Sequence, residues 1–343
     1  MAAIVSTKII NILASNSAVG SSLIGIIDFV QFANTFWQYM HPNCDETLLA
    51  YRVYANEGDQ ITLSNGLTIP AKPLSDYEDA DAVFLVSSFV YDKAAMDTFL
   101  KACQAFKPIL QRACDANRIL VSYCTGTFGL ASCGVLENKR ATTVWWMSNL
   151  FVQQFPNTTL TLDELVIVDG NVITGGATTS YFNVCLRLLE MLSNEVFAIR
   201  LSKLLLMDRH RLSQQAFIES GFIINKHDEL VEEVQNWMMN NFASPISLDV
   251  LCDQFAVTKR TLIRRFKASC NETPLNYLQK IRVEKAKHYL ETTNLPVERI
   301  VERVGYEDAG SFRKLFTGHT QLTPKAYRER FTYMNRDEVA CCD

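Results

Sequence analysis

The sequence contains no C-x-x-C pair among its ten cysteines. They stand singly, apart from Cys341-Cys342 at the tail, so neither a zinc ribbon nor a dithiol redox motif can be written. With 48% hydrophobic residues the chain can close its cores without disulfides, and the thiols read as the reduced thiols of a cytoplasmic protein. Histidine is scarce. His41, His210, His227, His288 and His319 are the full set, and no metal site or cofactor is expected. Long hydrophobic runs are missing as well. The longest, around Leu23–Ala33, is broken by Asp28 and Gln31, which leaves it too short and too polar to span a bilayer. The first residues carry Lys8 but no apolar core or cleavage site, so no signal peptide is expected.

What is present is enough for about two domains at 343 residues. The net charge of −4 hides an asymmetry. Residues 244–331 carry sixteen Lys and Arg against ten Asp and Glu, a surplus of six, and the remainder is acidic. A basic module on an acidic body fits a polyanionic partner for the module alone.

In the first two thirds, short β-branched runs alternate with helical stretches. Strand-like runs fall at Lys8–Leu13, Ala82–Val86, Ile119–Ser122 and Leu165–Val168. Helical segments are expected at Leu23–Tyr39, Met96–Ala116 and Tyr181–Leu192. Asp169-Gly170-Asn171 before Val172–Thr174 reads as a tight hairpin. This alternation predicts an α/β domain, doubly wound around a mostly parallel sheet. Met207–Asn225 is polar and weakly periodic, as a linker would be. The strands then stop, and only short helices are expected. The expected division is one domain over 1–207, a linker over 208–226, an all-α domain over 227–335 and a tail over 336–343.

Within the all-α part, Ser247 caps a short helix whose Leu248, Leu251 and Cys252 face inward. Phe255-Ala256-Val257 turns the chain. Thr258 caps a second helix that buries Leu262 and Phe266 and exposes Lys259, Arg260, Ile263, Arg264 and Lys267. The pattern recurs about fifty residues on. Val297–Val304 leads to Gly305-Tyr306, then Asp308 caps a helix that buries Phe312 and Phe316 and turns Ala309, Gly310, Arg313 and Lys314 outward. Two helix-turn-helix units, joined by a long helix over Leu275–Glu291, present basic second helices of the kind that enters a major groove. The expected partner is double-stranded DNA, with Thr258 added to the nine outward residues as the candidate contact set.

The segments TPLNYLQKIRVEKAKHYLE and VERIVERVGYEDAGSFRKLFTGHTQLTPKAYRERF resemble the AraC/XylS-type DNA-binding domain over about Ile246–Phe331. Upstream, VSYCTGTFGLASCG runs from a strand through a small-residue turn into a helix, with Cys124 at the crest of a nucleophile-elbow arrangement. Together with CTGTFGLASCGVLENKRATT and VDGNVITGGATTSYFNVCLRLLEML, it resembles the PfpI-protease and class I glutamine-amidotransferase-like superfamily over roughly 8–195, a flavodoxin-like fold. Fusion of the two resembles the GlxA-type regulators. The resemblance implies that the first domain senses a small metabolite, one containing nitrogen, and forms a homodimer.

Enzymes of that superfamily commonly carry a histidine after the ATT segment, where Val144 stands here. Some relatives carry a glutamate near the start of the first helix, where Ser22 stands. A cysteine nucleophile needs a base to form its thiolate. Ser22, Cys124, Thr125 and Val144 therefore read as a ligand pocket with no catalytic residue. Cys124 also reads as an inert small buried cysteine, and the alternative function is a cysteine-dependent hydrolase or amidotransferase with an accessory DNA-binding domain. Cys133 and Cys185 read as packing. Trp145-Trp146 reads as core, or else as the wall of a ligand pocket or dimer face, and Gly175-Gly176 as a structural turn.

Overall fold

A computed structural model describes residues 6–207, 213–219 and 228–332. The chain divides into two compact units, 1–214 and 215–343. The break therefore falls inside the segment assigned to the linker. The tail, 336–343, lies outside the described residues, as do His210 and His227.

Among its described residues the first unit has ten strands and seven α-helices. β1 (Lys8–Ala14), β2 (Leu49–Ala55), β5 (Ala82–Leu85), β6 (Ile119–Tyr123), β9 (Val166–Asp169) and β10 (Val172–Gly175) form one sheet in the order β2-β1-β5-β6-β10-β9. Only the β9–β10 pair is antiparallel. Two short pairs, β3 (Gln60–Thr62) with β4 (Thr68–Pro70) and β7 (Arg140–Ala141) with β8 (Thr159–Leu160), lie outside it. Val172 pairs with Asp169 across Gly170-Asn171, and Gly170 takes a φ of 61°, so the expected hairpin forms on its glycine.

The central strands are buried on both faces, which is why they read as unbroken apolar runs rather than alternating ones. The helices that cover them are α1 (Gly20–Met40), α2 (Lys93–Cys103), α3 (Lys107–Asp115), α4 (Gly126–Ser132), α5 (Ser148–Gln154), α6 (Tyr181–Leu192) and α7 (Glu195–Leu204). The single helix expected over Met96–Ala116 is two, separated by a tight turn at Gln104–Phe106. Pro108 sits in the first turn of α3, where its missing N–H is no loss. Strand β2 escaped the sequence reading because it lies at a sheet edge, buried at its ends but partly exposed through its middle, where it carries Arg52.

The strand order reverses direction between β1 and β5. At such a switch point the connections diverge and leave a crevice outside the carboxyl ends of the strands. The loops after β1, β2 and β5 bound a cleft of about 650 Å³ there.

The second unit is helical throughout its described part: α8 (Glu229–Asn241), α9 (Leu248–Gln254), α10 (Lys259–Cys270), α11 (Pro274–Thr292), α12 (Val297–Arg303), α13 (Ala309–Thr320) and α14 (Pro324–Phe331). Its described residues form two apolar clusters. One gathers Val231, Val234, Met238, Leu251, Leu262, Phe266, Leu278 and Ile281, and the other Val283, Ala286, Leu290, Ile300, Val301, Phe312, Phe316 and Tyr327. Helix α11 contributes its first half to one cluster and its second half to the other, so it spans both helix-turn-helix units.

Candidate functional site

The two halves of the second unit repeat one another in detail. Leu262 and Phe266 of α10 are fully buried, and Phe312 and Phe316 of α13, fifty positions later, are too. Both helices end on a left-handed residue, Asn271 at φ 57° and Gln321 at φ 59°. Both are followed by Thr-Pro pairs whose threonines, Thr273 and Thr323, cap the next helix. Thr258 Oγ1 accepts the N–H of Thr261 at 3.2 Å. Asp308 accepts the N–H groups of Gly310 and Ser311, the latter at 2.6 Å, and its carboxyl is held below the usual range chiefly by the Ser311 bonds.

These anchors fix which residues face out. Thr258, Lys259, Arg260, Arg264 and Lys267 are exposed on the first helix-turn-helix of this unit, with Ile263 half-buried. Gly310, Arg313 and Lys314 are exposed on the second, with Ala309 half-buried. Arg260, Arg264 and Lys267 make no ion pair among the described residues. Lys259 does, with Asp249 of α9 at 2.6 Å, and Arg313 pairs with Glu298 of α12. Asp249 and Glu298 are each the second residue of their helix. The sequence reading did not foresee these guards. It also did not foresee that Arg265 turns back from the outward face, where its guanidinium grips both oxygens of Asp228 at 2.6–3.1 Å.

In the first unit Cys124 does sit on an elbow. Its φ is 52°, a left-handed conformation that a cysteine adopts only when its surroundings enforce it. Its N–H donates to the carbonyls of Gly175 and Gly176 at 3.0 and 2.7 Å, and its own carbonyl accepts Thr143 Oγ1 at 2.7 Å. The Sγ lies 3.8 Å from Thr178 Oγ1. The side chain is buried, and burial pushes its pKa up to about 11, with Thr178 and Thr125 opposing the rise. Burial thus opposes formation of the thiolate.

The other three pocket candidates are equally buried but face different ways. Ser22 Oγ donates to Val19 O and accepts the Tyr123 hydroxyl, so it serves the residue before the cysteine. Thr125 is tied to Ser88 by two hydrogen bonds. Val144 is wholly buried at the head of the Trp145–Met147 turn. His41 ends α1, at the edge of the sheet opposite the elbow, and stacks on Trp37. Trp145 and Trp146 pack edge to face and are half-buried. Cys133 and Cys185 are buried in the apolar core. Among the described residues no three His, Cys, Asp or Glu side chains gather to hold a metal, and no helix is long and apolar enough to cross a membrane.

None of the four pocket candidates lines the open cleft. Its walls include Ser15, Asn16, Glu57, Ser88, Phe89 and Tyr91. Phe89 and Tyr91 are exposed, with ring centroids 6.1 Å apart. The elbow stands behind one wall, through the Thr125–Ser88 bonds. The sequence held no signal for this cleft, because its walls come from three loops far apart in the chain and from helix α2.

The two units match different families of known proteins. A helix-turn-helix domain profile matches residues 251–330, and a DJ-1/PfpI family profile matches residues 50–191. The HTH-type transcriptional regulator CdhR of Pseudomonas aeruginosa is 24% identical over 288 residues, 82% of each chain. The HTH-type transcriptional regulator GbdR of the same species is 22% identical over 284 residues, 82% of this chain and 75% of its own. Among solved structures, a putative transcriptional regulator from Vibrio parahaemolyticus superposes with a TM-score of 0.49 at 16% identity, over 58% of this chain and all of its own. DJ-1beta of Drosophila melanogaster superposes with a TM-score of 0.48 at 19% identity, over 59% of this chain and all of its own.

Proposed function

We propose that this transcription regulator, a DJ-1/PfpI-type α/β domain joined to an AraC-type helix-turn-helix domain, sets α10 and α13 into successive major grooves and adjusts that binding to a small nitrogen-containing metabolite held by its first domain. The observation that carries the DNA geometry is the internal repeat of the second unit, with two capped helices of the same length, anchored alike and bridged by α11. Thr258, Lys259, Arg260, Ile263, Arg264 and Lys267 form the contact set of the first helix. Ala309, Gly310, Arg313 and Lys314 form that of the second. The protein acts as a homodimer in the cytoplasm.

For the metabolite, the open cleft at the switch point is the better candidate than the buried elbow. Glu57 and Asp92 outnumber Lys101 among its charged walls, and the exposed rings of Phe89 and Tyr91, tilted 44° to one another, offer ring quadrupoles to a cationic nitrogen. Cys124 acts as a structural residue of the elbow and not as a nucleophile.

Binding-site selection on the full chain tests the DNA reading. Arginine can donate in parallel to guanine O6 and N7, worth about 1–3 kcal/mol of discrimination. Arg264→Ala should relax base preference in one cluster and Arg313→Ala in another about one helical turn, ~10 bp, away. Unchanged preferences in both variants would refute base reading, and a uniform loss with a shallower salt slope would assign the arginines to phosphates. A thermal-shift screen of amines and amino-acid derivatives on wild-type protein, repeated on Glu57→Gln, tests the cleft. A ligand at 100 times its dissociation constant stabilises by about 2.7 kcal/mol, and a gain that survives Glu57→Gln unchanged argues against the cleft.

A further inference from the structure

Gln214 is the last residue of the first unit, and its side chain does not face solvent. It is 2% exposed, and its carboxamide lies among three segments that also build the elbow. Nε2 donates to Thr142 Oγ1 at 3.0 Å and to the Thr143 carbonyl at 3.1 Å. Thr143 in turn holds the Cys124 carbonyl. Oε1 lies against Gly176, whose carbonyl accepts the Cys124 N–H. The assignment of the amide is set by the Thr143 carbonyl, which can only accept.

The fit is incomplete in a specific way. Gln214 Oε1 is buried without a hydrogen-bond partner, and so is Ser180 Oγ, which abuts the neighbouring Gly175. A buried carbonyl left unpaired is destabilising, because it has given up water without gaining a partner. The crevice thus offers two good acceptors to an N–H donor while penalising the oxygen that comes with it. Gly176 is what makes the room. A Cβ there would stand 2.7 Å from Gln214 Oε1, and its backbone needs no left-handed conformation.

We propose that Gln214 is a tethered, exchangeable occupant of a ligand position beside the elbow. That position takes a compact N–H-donor head group, an amide or amidine, at Thr142 Oγ1 and the Thr143 carbonyl. A ligand there competes with the Gln214 carboxamide. Because Gln215 is the first residue of the second unit, release of Gln214 frees the chain at the point where it enters the DNA-binding domain. Tethering raises the local concentration of the resident amide, so a free competitor must exceed it. The position is separate from the open cleft, and it rests on the reading of the first unit as a sensor only for its consequence on DNA.

The test uses the full chain and propionamide, the free counterpart of the glutamine side chain, with propionate as its isosteric control. Propionamide should stabilise Gln214→Ala against heat with a dissociation constant at least tenfold below that for wild type. Propionate should not, because it sets an anionic oxygen against the Thr143 carbonyl. Gly176→Ala pushes the resident amide out while keeping the rest of the fold, and it serves should Gln214→Ala fold poorly. Both variants should shift the affinity for a selected duplex at least threefold in the same direction. Equal propionamide stabilisation of variant and wild type, none in either, or unchanged DNA affinity in both variants overturns the proposal. A wild-type response to a cleft ligand alongside any of those results leaves the sensor reading standing.

Discussion

The turns of the two helix-turn-helix units occupy equivalent places yet carry different residues. Ala256 takes a φ of 52° in the first, and Gly305 a φ of 80° in the second. At Gly305 a Cβ would lie 2.6 Å from the Ala243 carbonyl, so backbone conformation and close approach both demand glycine. At Ala256 the residue is exposed, and only the left-handed strain remains. Relief of that strain outweighs the added freedom of the unfolded chain, so Ala256→Gly should stabilise the second unit by about 0.5–1 kcal/mol in urea unfolding. A loss of stability would show that Ala256 makes a packing contribution its exposure does not suggest. For Cys124, burial that raises the thiol pKa to about 11 makes the thiolate scarce at neutral pH. An electrophilic thiol probe on folded protein should label it more slowly than the half-buried Cys44, with a rate that climbs as pH rises towards that value. Faster labelling than Cys44 near neutral pH would restore the case for a nucleophile. Cys124→Ser should leave the fold and DNA binding in place.

Helix α8 is joined to α10 through one carboxylate. Asp228 caps α8 by accepting the Val231 N–H and grips Arg265 with both oxygens, and the Arg265 bonds hold its pKa below the usual range. A depressed folded pKa means that the stabilisation is complete above the unfolded value of about 3.9 and is lost as pH falls through the folded one. Asp228→Asn keeps a capping oxygen but no titrating charge, so the stability of the variant should fall less than that of wild type below about pH 4. Parallel acid profiles would mean that the pair adds no net pH dependence. This contact also marks where reading from sequence stops. Periodicity and caps placed α10, α11 and α13 because their signals lie within one helix. The outward residues Lys259, Arg260, Arg264 and Lys267 followed from the same spacing. The inward turn of Arg265 depends on Asp228, thirty-seven positions away, and no local pattern encodes it. The elbow was legible for the first reason, since strand, turn and helix are contiguous. The cleft at the switch point and the carboxamide beside Cys124 were not, because residues far apart in the chain create them, Thr142 and Gln214 being seventy-two positions apart.

At the scale of the whole molecule, the second unit begins earlier than the helix-turn-helix pattern does. Residues 251–330 match the domain profile, yet Ala216 is buried in the same cluster as Phe312 and Phe316. Phe217 sets its ring edge on Phe331 at 5.3 Å, and Arg330 lies over Phe217 at 5.4 Å. Lys287 is 4% exposed, and its ammonium donates to the Ile218 carbonyl at 2.5 Å as well as to Glu284 at 2.9 Å. A buried ammonium is tolerated only while its donors are taken. A fragment beginning at residue 227 removes Ala216, Phe217 and that carbonyl together. It leaves Lys287 with Glu284, whose own carboxyl pKa is raised because burial outweighs the attraction of Lys287. The loss of apolar contact and of one charge-assisted hydrogen bond together should cost about 2 kcal/mol or more. Fragment 213–335 should therefore unfold at a higher urea concentration than fragment 227–335. It should also bind duplex DNA with an affinity that falls steeply with salt, as counterion release requires. Lys287→Met supplies the control, since it removes the charge but keeps the length. It should narrow the stability gap between the two fragments, because the longer one then loses its hydrogen bond to Ile218 while the shorter is spared an underpaired ammonium. A gap unchanged by Lys287→Met would place the stabilisation in Ala216 and Phe217 alone. Equal stability of the two fragments with Lys287 in place would show that residues 213–226 add nothing to the fold of the DNA-binding unit.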